Sequence, residues 1–334
     1  MFWLFAGIFL VVVIFADIML RQPIIRAIVP VFEKMPPFGV IESVENPDGQ
    51  KISFPSTDGL TLRGRLMLPA AGEPQGVAVF FAELFGDHSQ ASRYMAALLN
   101  ANIAVLAFDT RNQGSSDVMP GYKPLHWLTE HEINDGLAAV KFVRSHDQLS
   151  ELPLGLFGVS RGASIALAVG GRVKDLAWVI CDGAFTTTLV TRYFAQRWAD
   201  LYAPKLLLKL VPQWHIHSTI SAARLLSEWR RKVRYSNPES TFPQLRNVPV
   251  LLISGKRDSY VKPIITSQLH AALGANCEAW IVPKAKHNMA RQTAPTEYDQ
   301  RLLQFVASAV PTFSWSEQTP APSARISTAA QSEA

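Results

Sequence analysis

The sequence predicts an α/β fold: a mainly parallel central sheet with helices on both faces, a helical insertion over the strand ends, and one N-terminal transmembrane helix. Three observations carry this expectation. Short, continuous apolar runs recur through the middle of the chain, with longer helical patterns between them. That alternation breaks once, between Phe185 and Asn247. The stretch Met1 to Leu20 holds a single charge, Asp17. Strands that are apolar on both faces need cover on both, which helical crossovers between parallel strands supply.

In chain order, Phe2 through Ala16 is apolar and broken only by Gly7. This approaches the roughly 20 residues needed to cross a bilayer, so residues 1–20 read as a membrane anchor. A cleaved signal peptide would carry a basic start and a small-residue cleavage site. Asp17, Met19, Leu20 and Arg21 follow the run instead, so that alternative would be atypical. No Lys or Arg precedes the run, whereas Arg21, Arg26 and Lys34 follow it, which places the body of the protein in the cytoplasm. Residues 21–40 mix Ile24, Ile25, Ile28, Val29 and Phe32 with Arg26, Glu33 and Lys34 and stop at Pro36-Pro37. They form a juxtamembrane segment with the character of a short interfacial helix.

The domain spanning 41–313 begins with a hairpin, Ile52 to Pro55 and Leu60 to Leu68, turning through Thr57-Asp58-Gly59; an Asp-Gly pair supplies the positive φ of a tight turn. Strands follow at Val77–Phe81, Ala104–Phe108, Leu154–Phe157, Trp178–Ile180, Val250–Ile253 and Cys277–Ile281. Helical patterns lie between them at Ala91–Leu99, Glu132–Val143, Ala163–Val169 and Ile264–Leu273, and Glu297–Val306 closes the domain. The insertion, 185–247, belongs above the C-terminal strand ends, where ligands bind in such sheets. Residues 314–334, rich in Ser, Thr, Ala, Pro and Gln, form a disordered tail.

Composition excludes several classes. With 334 residues, 48% hydrophobic and 18% charged, the chain is neither disordered nor collagen-like. Two cysteines, Cys181 and Cys277, both in strand-like runs, exclude a disulfide-stapled secreted module and suit a reducing compartment. A net charge of +5 is too small for this length to argue for nucleic acid as a partner.

The chemical signal lies at Gly158-Val159-Ser160-Arg161-Gly162, between an apolar strand and the small-residue run Ala163-Ser164-Ile165-Ala166. A sharp strand-to-helix turn lifts a serine hydroxyl above a sheet, and glycines two before and two after remove side chains that would clash. A serine at neutral pH needs a base, and the base an orienting acid. Val250 to Asp258 is a strand running into a Gly-containing turn, and His287 follows the strand Cys277–Ile281. Ser160, Asp258 and His287 therefore fall beyond three strand ends in the order Ser, Asp, His. Asp182, also just past a strand, is the rival acid.

These segments resemble the α/β-hydrolase superfamily over roughly residues 50–310. The resemblance rests on Val77-Ala-Val-Phe-Phe, on Ala104 to Asp117, on the serine turn, on Leu251 to Asp258 and on Ala285-Lys-His287. Within it the chain looks most like the serine-aminopeptidase and monoglyceride-lipase-like group. The resemblance implies an α/β-hydrolase fold, a catalytic triad of Ser160, His287 and Asp258, and no metal or organic cofactor. It also implies an oxyanion hole made by the backbone N–H groups of Leu84 and Arg161. The chain departs from the group where a His-Gly pair is usual: Ala82-Glu83 stands there. A carboxylate beside an oxyanion opposes the developing charge unless it points away or is paired. Glu83 is thus a structural residue, a contact for a substrate ammonium, or the mark of an impaired site.

The insertion carries Tyr193, Phe194, Trp198, Leu201, Tyr202, Leu206 to Leu208, Leu210, Val211, Trp214 and Ile216, enough to line an acyl-binding cleft, although helices over a sheet bury one face in any case. Trp229 to Arg234 adds a basic run, either a solvated face or a contact with anionic lipid. Two function classes follow. One is a membrane-anchored serine hydrolase acting on lipid-like acyl esters, with a serine aminopeptidase or thioesterase of the same fold as its variants. The other is a catalytically impaired hydrolase-like scaffold at the membrane. The expected partners are a small-molecule or lipid ester and the bilayer; nothing in the sequence sets an oligomeric state.

Overall fold

The structure, a computed structural model, describes residues 1–35, 49–70, 72–202 and 211–315. Pro36-Pro37, Leu206 to Leu210 and residues 316–334 of the expected tail lie outside the described residues. The strands are β1 (Gln50–Pro55), β2 (Thr61–Met67), β3 (Gly76–Phe81), β4 (Ile103–Phe108), β5 (Leu154–Val159), β6 (Leu176–Asp182), β7 (Val250–Gly255) and β8 (Cys277–Val282). The longer helices are α1 (Phe2–Glu33), α2 (Glu130–Arg144), α3 (Arg161–Gly170), α4 (Thr187–Tyr202), α5 (Gln213–Arg231), α6 (Pro263–Leu273) and α7 (Pro295–Ala309).

The sheet runs in the order β1-β2-β4-β3-β5-β6-β7-β8. β1 pairs antiparallel with β2 and β2 antiparallel with β4; from β4 to β8 every pairing is parallel. The expected hairpin therefore extends one edge. Its turn is longer than the Asp-Gly pair suggests: the Ser56 N–H bonds the Leu60 carbonyl across it, and only Gly59 takes a positive φ, 88°.

Every residue of β3, β4, β5 and β7 is buried, which is why these strands read as unbroken apolar runs. Alternate side chains feed two cores. Val77, Val79 and Phe81 join Ile133, Ile165 and Leu269 of α2, α3 and α6 on one face. Ala78 and Phe80 join Tyr94, Leu98 and, from α7, Tyr298 and Leu302 on the other. The single helix expected over Ala91–Leu99 is two short ones, Ala91–Tyr94 and Ala96–Asn100, broken at Met95. Cys181 and Cys277 are buried free thiols.

The N-terminal boundary at residue 20 is not a structural one. α1 continues for 32 residues, past Pro23 and Pro30, each of which removes an i→i−4 hydrogen bond. Packing compensates: Ile25, Val29 and Phe32, spaced i, i+4, i+7, are buried in the core of the body, worth about 1.5–3 kcal/mol each. Two of the carbonyls that a helix end leaves open find partners, because Trp127 Nε1 donates to the Val31 carbonyl at 3.0 Å and the Tyr235 hydroxyl to the Phe32 carbonyl at 3.0 Å.

Asp17, the lone charge of the apolar run, bonds His215 of α5 at 2.8 Å and Arg21 at 2.7 Å, and Arg21 donates to Ser218 at 2.8 Å. Arg230 sits 3.8 Å from Glu33, so α1 and α5 run parallel along each other. Within the segment expected to lie along the interface, residues 21–33 pack against the insertion. Before it, from Phe2 to Phe15, the large apolar side chains are exposed.

Candidate active site

Ser160 sits between β5 and α3 with φ at 53°, a strained conformation for a residue with a side chain. The local sequence enforces it. A Cβ on Gly158 would meet the Gly162 carbonyl oxygen at 2.2 Å, and one on Gly162 would meet that of Phe81 at 2.1 Å, so both positions admit only glycine. The Ser160 N–H donates to the Asp182 carbonyl at 2.7 Å, tying the turn to the end of β6.

The structure brings together the three residues expected from the strand ends. Ser160 Oγ lies 2.8 Å from His287 Nε2, and His287 Nδ1 lies 2.7 Å from Asp258 Oδ2. Asp258 Oδ1 accepts the backbone N–H groups of Tyr260 and Val261, both at 2.8 Å, which fixes the carboxylate with its second oxygen facing the ring. In the tautomer that donates Nδ1–H to the carboxylate, Nε2 is left as a hydrogen-bond acceptor facing the Ser160 hydroxyl. The rival acid Asp182 is elsewhere in the network. Burial pushes its pKa up to about 7, and its Oδ2 accepts the Tyr298 hydroxyl at 2.9 Å.

The loop after β3 departs from the expected conflict at Glu83. Its carboxylate is paired: Oε1 accepts Gln90 Nε2 at 2.9 Å and Oε2 accepts Asn288 Nδ2 at 2.5 Å. Asn288 follows His287, so Glu83 fastens this loop to the histidine loop. The N–H groups on either side of Leu84 are taken, that of Glu83 by Gln90 Oε1 and that of Phe85 by Gln113 Oε1. Leu84 and Arg161 both line the cavity with Ser160, and the Arg161 N–H heads the first turn of α3, where a helix has no acceptor of its own.

Sequence reasoning missed what holds Arg161. Its guanidinium is buried 2.5 Å from Glu132 Oε1. Burial opposes the charge on Glu132, but Arg161 together with the Tyr122 and Thr129 hydroxyls outweighs it and holds that carboxyl below its ordinary range. Thr129-x-x-Glu132 is also the capping box of α2, a signal present in the sequence before the run at Ile133. Arg111, 1% exposed, similarly pairs with Asp135 of α2 at 2.6 Å and Asp58 at 2.5 Å.

Above Ser160 opens a cavity of about 920 Å³, at the upper end of small-molecule sites. The insertion contributes Phe194, Trp198, Val211 and Ile216. Tyr193 and Trp214, expected among them, do not line it; Trp214 is exposed and lies 6.0 Å from the Arg21 guanidinium. Sequence reasoning also missed a whole wall, Ile24, Ala27, Ile28, Val31 and Phe32 of α1. The basic run Trp229 to Arg234 lies at the end of α5 remote from Asp17, with Arg231 donating to the Tyr235 hydroxyl and the Lys123 carbonyl. Among the described residues no group of three or more His, Cys, Asp or Glu is placed to hold a metal ion.

A family model described as the alpha/beta hydrolase family matches residues 66–301. The chain is 36% identical over 127 residues to the thiohydrolase aneE of Aspergillus aculeatus, covering 37% of each chain. It is 28% identical over 140 residues to the polyketide transferase claH of Penicillium crustosum, covering 41% of this chain and 44% of that one. The matches thus span less than half the length of these relatives. Among solved structures, the Pyrococcus furiosus esterase Pf2001 superposes with a TM-score of 0.59 at 20% identity, covering 83% of this chain and 99% of the esterase.

Proposed function

The chain belongs to the alpha/beta hydrolase family, and on that premise we propose that it is a membrane-anchored serine hydrolase cleaving lipid-like acyl esters. One observation carries the reading: the hydroxyl of Ser160, hydrogen-bonded to His287 and through it to Asp258, opens on a large apolar cavity. Ser160 Oγ attacks the acyl carbonyl as His287 Nε2 takes its proton, and Asp258 holds the imidazolium that forms. The N–H groups of Leu84 and Arg161 receive the oxyanion. His287 then gives its proton to the leaving alcohol, the acyl group stays on Ser160, and water activated by the same imidazole releases the acid and regenerates the serine.

The exposed apolar half of α1, the candidate span, supports anchoring, and the basic residues that follow it favour a cytoplasmic catalytic domain. The basic run at the far end of α5 takes no part in this reading. The pairing of Glu83 with Gln90 and Asn288 weighs against both the impaired-scaffold alternative and the aminopeptidase one, since its oxygens are already engaged. The similarity to a thiohydrolase favours a second substrate class, acyl thioesters, which the same attack would cleave with a thiol as leaving group.

The test is hydrolysis of matched acyl esters, acyl thioesters and N-terminal aminoacyl amides by the vesicle-reconstituted full chain, with Ser160→Ala as control. The reading expects serine-dependent cleavage of long-chain esters or thioesters. Cleavage confined to the amides, or equal rates in Ser160→Ala, would overturn it.

A further inference from the structure

We propose that α1 is more than an anchor: its C-terminal half is the acyl-binding wall of the active site, which an acyl chain enters directly from the bilayer. This rests on the serine-hydrolase reading. Ile24, Ala27, Ile28 and Val31 fall at i, i+3, i+4 and i+7, a single helical stripe, and all four line the cavity that holds Ser160 and His287. The neighbouring stripe, Ile25, Val29 and Phe32, is buried in the core, so the lining stripe is presented on a fixed surface.

Both ends of this half-helix are clamped. Near residue 20, Asp17 and Arg21 bond His215 and Ser218 of α5; at the other end Trp127 and Tyr235 hold the carbonyls of Val31 and Phe32. Such fixation is what a wall that measures chain length requires, and an anchor alone would need none of it. Ile24 and Trp198, 52% and 44% exposed, mark the open side of the cavity. Ile24 lies only four residues beyond Leu20, about 6 Å along the helix axis, and the stripe from Ile24 to Val31 covers about 10 Å more. The same face carries Leu20 with Asp17 and Arg21, whose charges pair with each other, so an acyl chain leaving the hydrocarbon beside the exposed half of α1 passes this neutralised pair and then meets the apolar stripe that leads into the cavity. The chemistry recognised is a single extended acyl chain carried by a membrane lipid. Ile28, half-buried at the middle of the stripe, limits how much of that chain is accommodated.

The test uses a long-chain alkyl fluorophosphonate with a diazirine at the far end of its chain, added to the full chain in vesicles. Ser160 Oγ bonds to phosphorus as fluoride leaves; illumination then inserts the chain end into whatever wall it touches. Trypsin cuts after Arg21, Arg26 and Lys34, so the stripe is recovered as two peptides, Gln22 to Arg26 with Ile24 and Ala27 to Lys34 with Ala27, Ile28 and Val31. The expected result is probe on Ser160 cross-linked to one of these two peptides. In parallel, Ile28→Trp should lower kcat/KM for a long-chain ester roughly tenfold relative to an acetyl ester, as when about two methylenes lose their place. Leu10→Trp, on the exposed half, should leave that ratio where it is. Labelling of Ser160 with cross-links confined to other peptides, or an unchanged ratio in Ile28→Trp, would overturn the role of α1 alone. Failure of the probe to label Ser160 would instead overturn the hydrolase reading beneath it.

Discussion

Asp258→Asn separates the proposed acid from its rival, and the structure sets the size of the effect. Asp258 Oδ1 accepts two backbone N–H groups, so an asparagine here must keep its carbonyl oxygen on that side. Its amide then faces His287 Nδ1 from the position Oδ2 occupies, 2.7 Å away in the native protein. An amide donates where the carboxylate accepted, so the ring moves its proton to Nε2, and Nε2 can no longer take the proton of Ser160. Turnover should fall about 10⁴-fold, roughly 5.5 kcal/mol of transition-state stabilisation, with thermal stability little changed. Asp182→Asn retains an acceptor for the Tyr298 hydroxyl and should cost less than about tenfold. Both variants are assayed by kcat on a soluble short-chain ester in detergent. A loss under tenfold in Asp258→Asn, or a larger loss in Asp182→Asn, would refute the assignment.

Because Ser160 and His287 act in one proton-coupled step, the double alanine variant should be scarcely slower than either single one; multiplicative losses in kcat would argue against a shared step. Glu132→Gln strands the buried Arg161 guanidinium and should cost about 3–5 kcal/mol, read from denaturant unfolding, whereas a loss below about 1 kcal/mol would mean the pair is dispensable. The raised pKa of Asp182 makes a pH prediction: its contribution to stability is fully present below its ordinary value of 3.8 and is lost as pH rises through about 7. Asp182→Asn should flatten the melting-temperature profile across that window, and an unaltered profile would contradict the buried, protonated state. Deleting residues 2–16 should release the protein from carbonate-washed membranes, and protease added to intact cells should spare the catalytic domain; retention or external digestion would speak against the anchor or its orientation.

Local patterns carried most of the fold. β3, β4, β5 and β7 were legible because each is buried on both faces and so written without a charged letter, and the serine turn because its steric demands fall within five residues. Asp258 and His287 were legible through their places beyond β7 and β8, although nothing local revealed that Tyr260 and Val261 would fix the carboxylate. The continuity of α1 was hidden because Pro23, Pro30 and the rise in charge after Leu20 mimic a boundary, while the packing that overrides them comes from Trp127, Tyr235 and α5, about a hundred residues or more away in sequence. Glu83 stayed ambiguous for the same reason: its partner Asn288 is 205 residues distant.

The central claim is that Ser160 is an activated nucleophile. Its most direct measurement is reaction of the full-length protein with a simple alkyl fluorophosphonate, followed by peptide mass mapping. The account predicts stoichiometric modification on Ser160, abolished in Ser160→Ala and strongly slowed in His287→Ala. An unmodified Ser160 in the folded protein, or modification that persists unchanged in Ser160→Ala, would contradict it.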